Sequence, residues 1–453
     1  MKPLSFMAVS LVSGLVGTIF RSPAWGLVVY YIYAVLRPQF LWEWALPVIP
    51  WSSLVGWTVI GSVLLMPPLP PAGLLARGGG SRFTIGHKAV LSFGCWVLLT
   101  YFTARAPDTS YPYFIEYIKI FLMFFIGTFV LRTVGELWML YLSSAGILGY
   151  IAVEMNDIYI RQGGYLYLWR RGYCGLDNNG AGLMLAMGVP LCFYAWEGMT
   201  SRFRWLFLAM LPPLMHAVFM SYSRGAMLSM IPGMLLWIFR SRYKVKVALL
   251  LTFMGMLVPV LAGKEIQARF ESTAEFDQDA SANSRLTTWR IAWQMSSENP
   301  IFGLGIRNSN LFTYAYGADI PGRTIHSQYL QTAADSGLVA LALYLTALFI
   351  VWRVACRVMR ETKWRSDQEG RRAYAIAAGV EGSMLVFCVG AAFLSLETFE
   401  TPYILMLIGC QLPLALCPVP DPEPLATESE EHDHESEMEH GVYSAGAADF
   451  RTS

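Results

Sequence analysis

Long apolar runs separated by short polar interruptions dominate the chain. They occupy 4–20, 23–36, 45–66, 88–104, 114–131, 134–153, 180–197, 203–221, 224–240, 245–262, 334–352, 374–396 and 402–417. Crossing the hydrocarbon core takes about 20 mostly apolar residues, so the pattern predicts 12 or 13 crossings, with 23–36 short enough to be half of a bent pair. Lipid gives an open strand edge no hydrogen-bond partner, so every crossing should be a helix. The expected fold class is an all-α polytopic membrane protein, with 1–417 as one transmembrane domain and 418–453 as a separate tail.

Lys and Arg set the expected orientation. The interruption 353–373 carries Arg353, Arg357, Arg360, Lys363, Arg365, Arg371 and Arg372, and a second basic turn holds Arg240, Arg242, Lys244 and Lys246. Both should face the cytoplasm, which places the two longest internal polar loops, 154–179 and 263–333, outside. The second loop has six basic and seven acidic residues, so its arginines are not topology signals and need another reason.

Composition strengthens the membrane reading. Of 453 residues 55% are hydrophobic and 14% charged, against about 25% charged in soluble chains, which excludes a soluble globular protein. The net charge of +1 hides an asymmetry: ten acidic residues and one basic residue lie beyond Cys417, leaving the membrane body at +10. The tail should be disordered and cytoplasmic; its His432, Asp433, His434 and His440 could hold a metal loosely or simply be solvated. A cationic body suits anionic lipid or phosphorylated substrates, although positive-inside loops alone would also produce it. The seven cysteines lie mostly in apolar runs, so no structural disulfide is expected, and without a small-residue cleavage site the first span should stay attached.

Candidate chemistry gathers in the outer loops. Leu286, Trp289, Ile291, Ala292, Trp293 and Met295 recur at helical spacing until Asn299-Pro300, predicting an amphipathic helix on the membrane surface with both tryptophans at the interface. Arg285 and Arg290 diverge around it, one toward the membrane centre and one toward headgroups. Phe302-Gly303-Leu304-Gly305 is a tight turn, or a place of close approach to substrate. His326, with Arg323 three residues before it, is either a surface residue or a base able to take a proton from a hydroxyl. His87 is assigned to a basic cytoplasmic loop and His216 to a structural place within a span. Ser223-Arg224-Gly225 joins two spans; Arg224 either snorkels to phosphates or aims its planar fork into the bundle at a diphosphate. Tyr165, Tyr167, Trp169 and Tyr173 interleave with Arg161, Arg170 and Arg171, suiting headgroups or sugar rings. In Asp177-Asn178-Asn179 one residue should cap the next helix, and Glu116 should pair with Lys119.

The order of these motifs resembles the O-antigen ligase and O-antigen polymerase superfamily. D-N-N precedes a span, S-R-G lies between spans, S-R-x-x-x-W precedes N-P-x-x-G-x-G, and H-S-x-x-L-Q precedes D-S-G. R-P-Q-F-L-W-E-W at 37–44, E-Y-I-K at 116–119 and D-Q-D-A-S-A-N-S-R at 277–285 resemble the exosortase A-associated O-glycosylation ligases more specifically, and the similarity spans most of 20–350. It implies a GT-C-like glycosyltransferase of the bacterial inner membrane, with its site facing the periplasm. The implied donor is a glycan on undecaprenyl diphosphate, and the acceptor a lipid, protein or glycan hydroxyl. His326 would be the base, with Arg285 and Arg224 on the diphosphate; Arg290, Arg323, Arg171, Asp177, Asn178 and Asp335 would surround the substrates. Diphosphate is already a good leaving group and no acidic outer cluster has metal spacing, so no metal or cofactor is expected, nor any nucleic acid, and displacement from one side predicts inversion at the anomeric carbon. Where the family carries Glu-x-Gly-x-x-Gly, this chain has Asp335-Ser336-Gly337 followed by Ala340. A polymerase of the same fold differs only in acceptor. A lipid-linked sugar transporter would need an internal repeat and midplane charges, which the sequence does not display.

Overall fold

The computed structural model describes residues 2–65, 83–240, 280–396 and 398–416, with isolated positions at 244–245, 249 and 252. Most of the run 245–262, the first part of the 263–333 loop (263–279) and the acidic tail with its histidine cluster lie outside the described residues. Among those described there are seventeen α-helices: α1 Lys2–Phe20, α2 Pro23–Leu36, α3 Pro38–Leu41, α4 Trp51–Leu65, α5 Ile85–Thr100, α6 Pro107–Val130, α7 Val134–Arg161, α8 Tyr167–Arg171, α9 Asn178–Gly198, α10 Arg204–Ala209, α11 Leu211–Met220, α12 Arg224–Arg240, α13 Ala280–Glu298, α14 Asn308–Phe312, α15 Gln328–Thr362, α16 Gln368–Ala391 and α17 Glu400–Ala415. No strand occurs among them, only an isolated bridge between Tyr173 and Leu176.

Among the described residues six helices are long and apolar enough to cross a membrane: α5 with its 3-10 extension, α6, α7, α9, α15 and α16. The protein is a polytopic helical membrane protein. Helices α9 and α16 form its centre, and both are buried almost throughout. They pack closely because small residues let the backbones approach; a Cβ on Gly390 would stand 2.5 Å from Leu183 Cδ1. Two buried polar side chains of the bundle donate to backbone carbonyls of other helices, since the membrane interior offers no water in their place. Ser383 Oγ donates to Met187 O at 2.6 Å, three residues before the helix-interior Pro190, and Gln411 Nε2 donates to Thr128 O and Leu131 O at 2.8 and 2.7 Å.

Boundaries differ from the apolar pattern in instructive ways. The run 203–221 is two helices meeting at Met210 before Pro212-Pro213, because proline cannot donate into the preceding turn. Helix α7 runs on to Arg161, through eight residues expected in a loop. Helix α16 stops at Ala391, five residues early, and 392–396 turn inward. His87 is not in a loop: it sits in the first turn of α5, fully buried, and closes a reciprocal cap with Thr84. His216 is structural as expected, its Nδ1 meeting Asn156 Oδ1.

Candidate active site

Helix α13 occurs where the apolar spacing places it and ends at Glu298, before Asn299-Pro300. Ile291, Ala292 and Met295 are buried against Leu304, Ile325 and Ala334. Its apolar face therefore covers protein, not only membrane. Trp293 is exposed, whereas Trp289 turns inward and lies 6.1 Å from Phe393.

Two hydrogen bonds zip α13 to the segment leading to His326. Arg323 Nε donates to Ser284 Oγ at 3.0 Å, and Thr288 Oγ1 donates to Ile325 O at 3.2 Å. Ser284 and Thr288 are one helical turn apart and flank Arg285, so Arg285 is presented to the His326 segment. Arg290 stays exposed. Two distant motifs thus become one site, with Arg323 also paired to Asp319 at 3.1 Å.

His326 itself is left-handed, φ 55, and so is Arg307, φ 66. Non-glycine residues held there carry strain that the surroundings must overrule. Both line a cleft of about 230 Å3, together with Tyr113, Asp177, Thr324, Ser395, Thr398 and Phe399. Burial pushes the His326 imidazole below its ordinary value. Arg285 adds in the same direction, Asp177 opposes, and Arg323 and Arg307 add further. The ring is therefore kept neutral at neutral pH, with a lone pair free to take a proton.

The cleft floor is organised from the first turns of α15. Gln328 Oε1 accepts from Leu396 N at 2.6 Å, and Gln331 Oε1 accepts from Ser395 Oγ at 3.1 Å, which fixes the wall formed by 394–396. Gln331 Nε2 donates to Ser309 Oγ and to Asp335 Oδ2, at 2.8 and 2.7 Å. Asp335 is buried, 3% exposed, and its Oδ1 accepts from Ser309 N at 2.8 Å. It holds the loop that carries Arg307 and does not line the cleft. The glycine turn 303–305 approaches backbone: Gly305 N donates to Asp335 O at 2.8 Å, and Leu338 N donates to Pro300 O at 2.7 Å across the break at Gly337.

The remaining residues divide. Asp177 caps α9, accepting from Gly180 N at 2.8 Å, and lines the cleft. Asn178 Nδ2 donates to Ser221 O at 2.9 Å, anchoring the turn before Arg224. Arg224 opens α12 half-buried, and the neighbouring Gly225 lies against Phe393 and Leu394. Arg171 is exposed, 3.6 Å from Glu43, and is not among the cleft-lining residues. Glu116 pairs with Lys119 at 2.8 Å. Arg307, Tyr113, Gln328, Gln331 and the wall formed by 394–396, Thr398 and Phe399 were not singled out from the sequence. Gln328 and Gln331 fall within H-S-x-x-L-Q, and the positive φ of Arg307 has no counterpart in the residue string.

Over residues 213–345 the chain matches the family described as O-antigen ligase. The similar segment holds Arg224, Arg285, Arg307, Arg323, His326 and Asp335. No curated protein matches the chain. The O-antigen ligase similarity supports a glycosyl-transferring role of the ligase or polymerase kind, and such a role involves a lipid-linked glycan donor and an acceptor.

Proposed function

We propose that this protein transfers a glycan from an undecaprenyl-diphosphate carrier to an acceptor hydroxyl, with His326 as base. The observation that carries the reading is His326 in a cleft that Arg307 also lines, its imidazole pushed below the ordinary value by burial and by the charges of Arg285, Arg323 and Arg307. A base must be uncharged to accept a proton, and a diphosphate leaving group needs cations nearby; the same arginines serve both needs.

His326 takes the proton of the acceptor O–H as its oxygen attacks the anomeric carbon. The bond from that carbon to the phosphate oxygen breaks, and the diphosphate leaves with its electron pair. Arg285 stabilises charge on the departing oxygens, with Arg307 beside it and Arg224 as the donor-side arginine at the start of α12. Each prepositioned donor contributes about 3 kcal/mol in comparable sites. Single displacement inverts the anomeric carbon. A cleft of about 230 Å3 admits a sugar ring but not an extended glycan, so the rest of the chain would extend outward. The basic residues between α15 and α16 lie beyond the part of α15 that follows the break at Gly337, a run about 37 Å long at 1.5 Å per residue. By the positive-inside rule this supports a cleft on the periplasmic face of the inner membrane.

The test compares glycan transfer in a strain lacking the protein, complemented with wild type or His326→Ala, with membrane levels of each checked. Loss of transfer with accumulation of lipid-linked donor is expected. Transfer at the wild-type level would overturn the assignment of His326. Carrier-linked glycan trapped on the inner leaflet would point to a transporter instead.

A further inference from the structure

A second, smaller pocket adjoins the cleft and shares Leu176, Thr398 and Phe399 with it. It measures about 30 Å3 and is lined by Arg37, Tyr173, Cys174, Glu400 and the apolar Ala34, Val35 and Met184. A water needs roughly 10–15 Å3 on this measure, so the pocket has room for a small substituent and none for a sugar ring.

Its polar groups are built in. Arg37 is left-handed, φ 42, and its Nη1 donates to Cys174 O at 2.9 Å while its Nε donates to Ala34 O at 3.3 Å. Two of its five N–H groups are used there. Tyr173 Oη donates to Leu36 O at 2.6 Å and holds the same loop in place. Glu400 begins α17 within electrostatic reach of Arg37, Glu116 and Lys119. The residue is partly exposed, yet its Oε2 oxygen is closed to solvent and accepts no hydrogen bond. A shielded carboxylate oxygen without a donor is costly, and the fold leaves it beside the sugar-sized cleft.

We propose that Glu400 and Arg37 form a specificity subsite for an acetamido substituent on the donor's first sugar. The amide N–H donates to Glu400, its carbonyl accepts from the Arg37 guanidinium, and its methyl group lies on the apolar lining. An ammonium substituent is disfavoured by Arg37 and Lys119, and a carboxylate by Glu400 and Glu116. The proposal rests on the donor reading above and assigns Glu400 no part in bond breaking.

The experiment measures binding to the full-length protein in lipid nanodiscs. Three probes are used: a short-chain polyprenyl diphosphate, its N-acetylglucosamine conjugate and its glucose conjugate. Wild type should bind the N-acetylglucosamine conjugate about tenfold more tightly than the glucose conjugate, since a site built to hydrogen-bond a group rejects analogues lacking it. In Glu400→Gln the preference should fall to within about twofold, and Arg37→Lys, which loses the planar fork, should lower it too. Equal binding of the two conjugates by wild type overturns the subsite and needs no variant to do so; full preference in both variants overturns it as well. If wild type binds none of the three probes, the donor reading fails and the subsite with it.

Discussion

Asp335 Oδ1 accepts the backbone N–H of Ser309 at 2.8 Å, so a carboxylate on α15 sets the position of the loop that carries Arg307. Replacing it by alanine leaves Ser309 N without its acceptor and Gln331 Nε2 with only Ser309 Oγ. Each bond to a charged partner contributes about 1.5–3 kcal/mol. Asp335→Ala should therefore cost about 3 kcal/mol in detergent-solubilised thermal unfolding, with glycan transfer lost as the Arg307 loop loosens. An unfolding midpoint matching wild type would show that the loop is held by other means.

Transfer should depend on pH through His326. The acid limb of kcat/KM reports the free enzyme's base. Burial and Arg285 hold His326 below its ordinary value, about 6.5 for histidine, so half-maximal activity should fall below that pH. Removing a neighbouring positive charge makes protonation easier, and Arg285→Gln should move the limb upward. Arg290→Gln alters an exposed side chain and should leave it in place. A limb that ignores Arg285→Gln would mean another group titrates.

Glycine is required at 337. Its φ is +87, and a Cβ there would meet Ile301 O at 2.0 Å, a backbone atom that cannot step aside. Gly337→Ala should cost at least about 2 kcal/mol. Gly163, at φ +60 with open space around it, gives the contrast: Gly163→Ala should cost about 1 kcal/mol. Equal unfolding midpoints for the two variants would remove close approach as the reason for Gly337.

Far from the cleft, Arg240 donates from Nε and Nη2 to the two carboxylate oxygens of Glu381 at 3.0 and 2.8 Å, and Cys356 Sγ donates to Glu381 Oε1 at 3.1 Å. Glu381 is 2% exposed while Arg240 retains 35%. Breaking a buried pair costs about 3–5 kcal/mol; partial hydration of Arg240 lowers the expectation for Glu381→Ala to about 2 kcal/mol. A double-mutant cycle with Arg240→Ala checks it, and a coupling energy near zero would assign the loss to packing alone.

Much of the architecture is legible in the residue string because lipid leaves the backbone little choice. Apolar runs long enough to cross must be helices, and helices form most of the expected runs where residues are described, with 45–50 and 392–396 outside them. Local chemistry was legible too: a cap within Asp177-Asn178-Asn179, the Glu116–Lys119 pair, and the stop of α13 before Asn299-Pro300. Each depends on neighbours within a few residues. Ends were less legible, as at α16, where 392–396 leave the helix to form a cleft wall that apolar composition alone cannot distinguish from a span.

By itself the sequence determined that this is a helical membrane protein with arginines and a histidine in one polar loop. It also fixed a motif order similar to a glycan ligase family. Only the tertiary structure decided which of those residues meet. Arg285 and His326 are 41 positions apart, and their meeting depends on Ser284 and Thr288 bonding to the His326 segment. Arg307 enters the cleft through a left-handed backbone, and Glu400 reaches the adjoining pocket from a helix far along the chain. Such encounters are set by packing between distant segments, where many spacings in sequence give the same contact and no local pattern records which one is made.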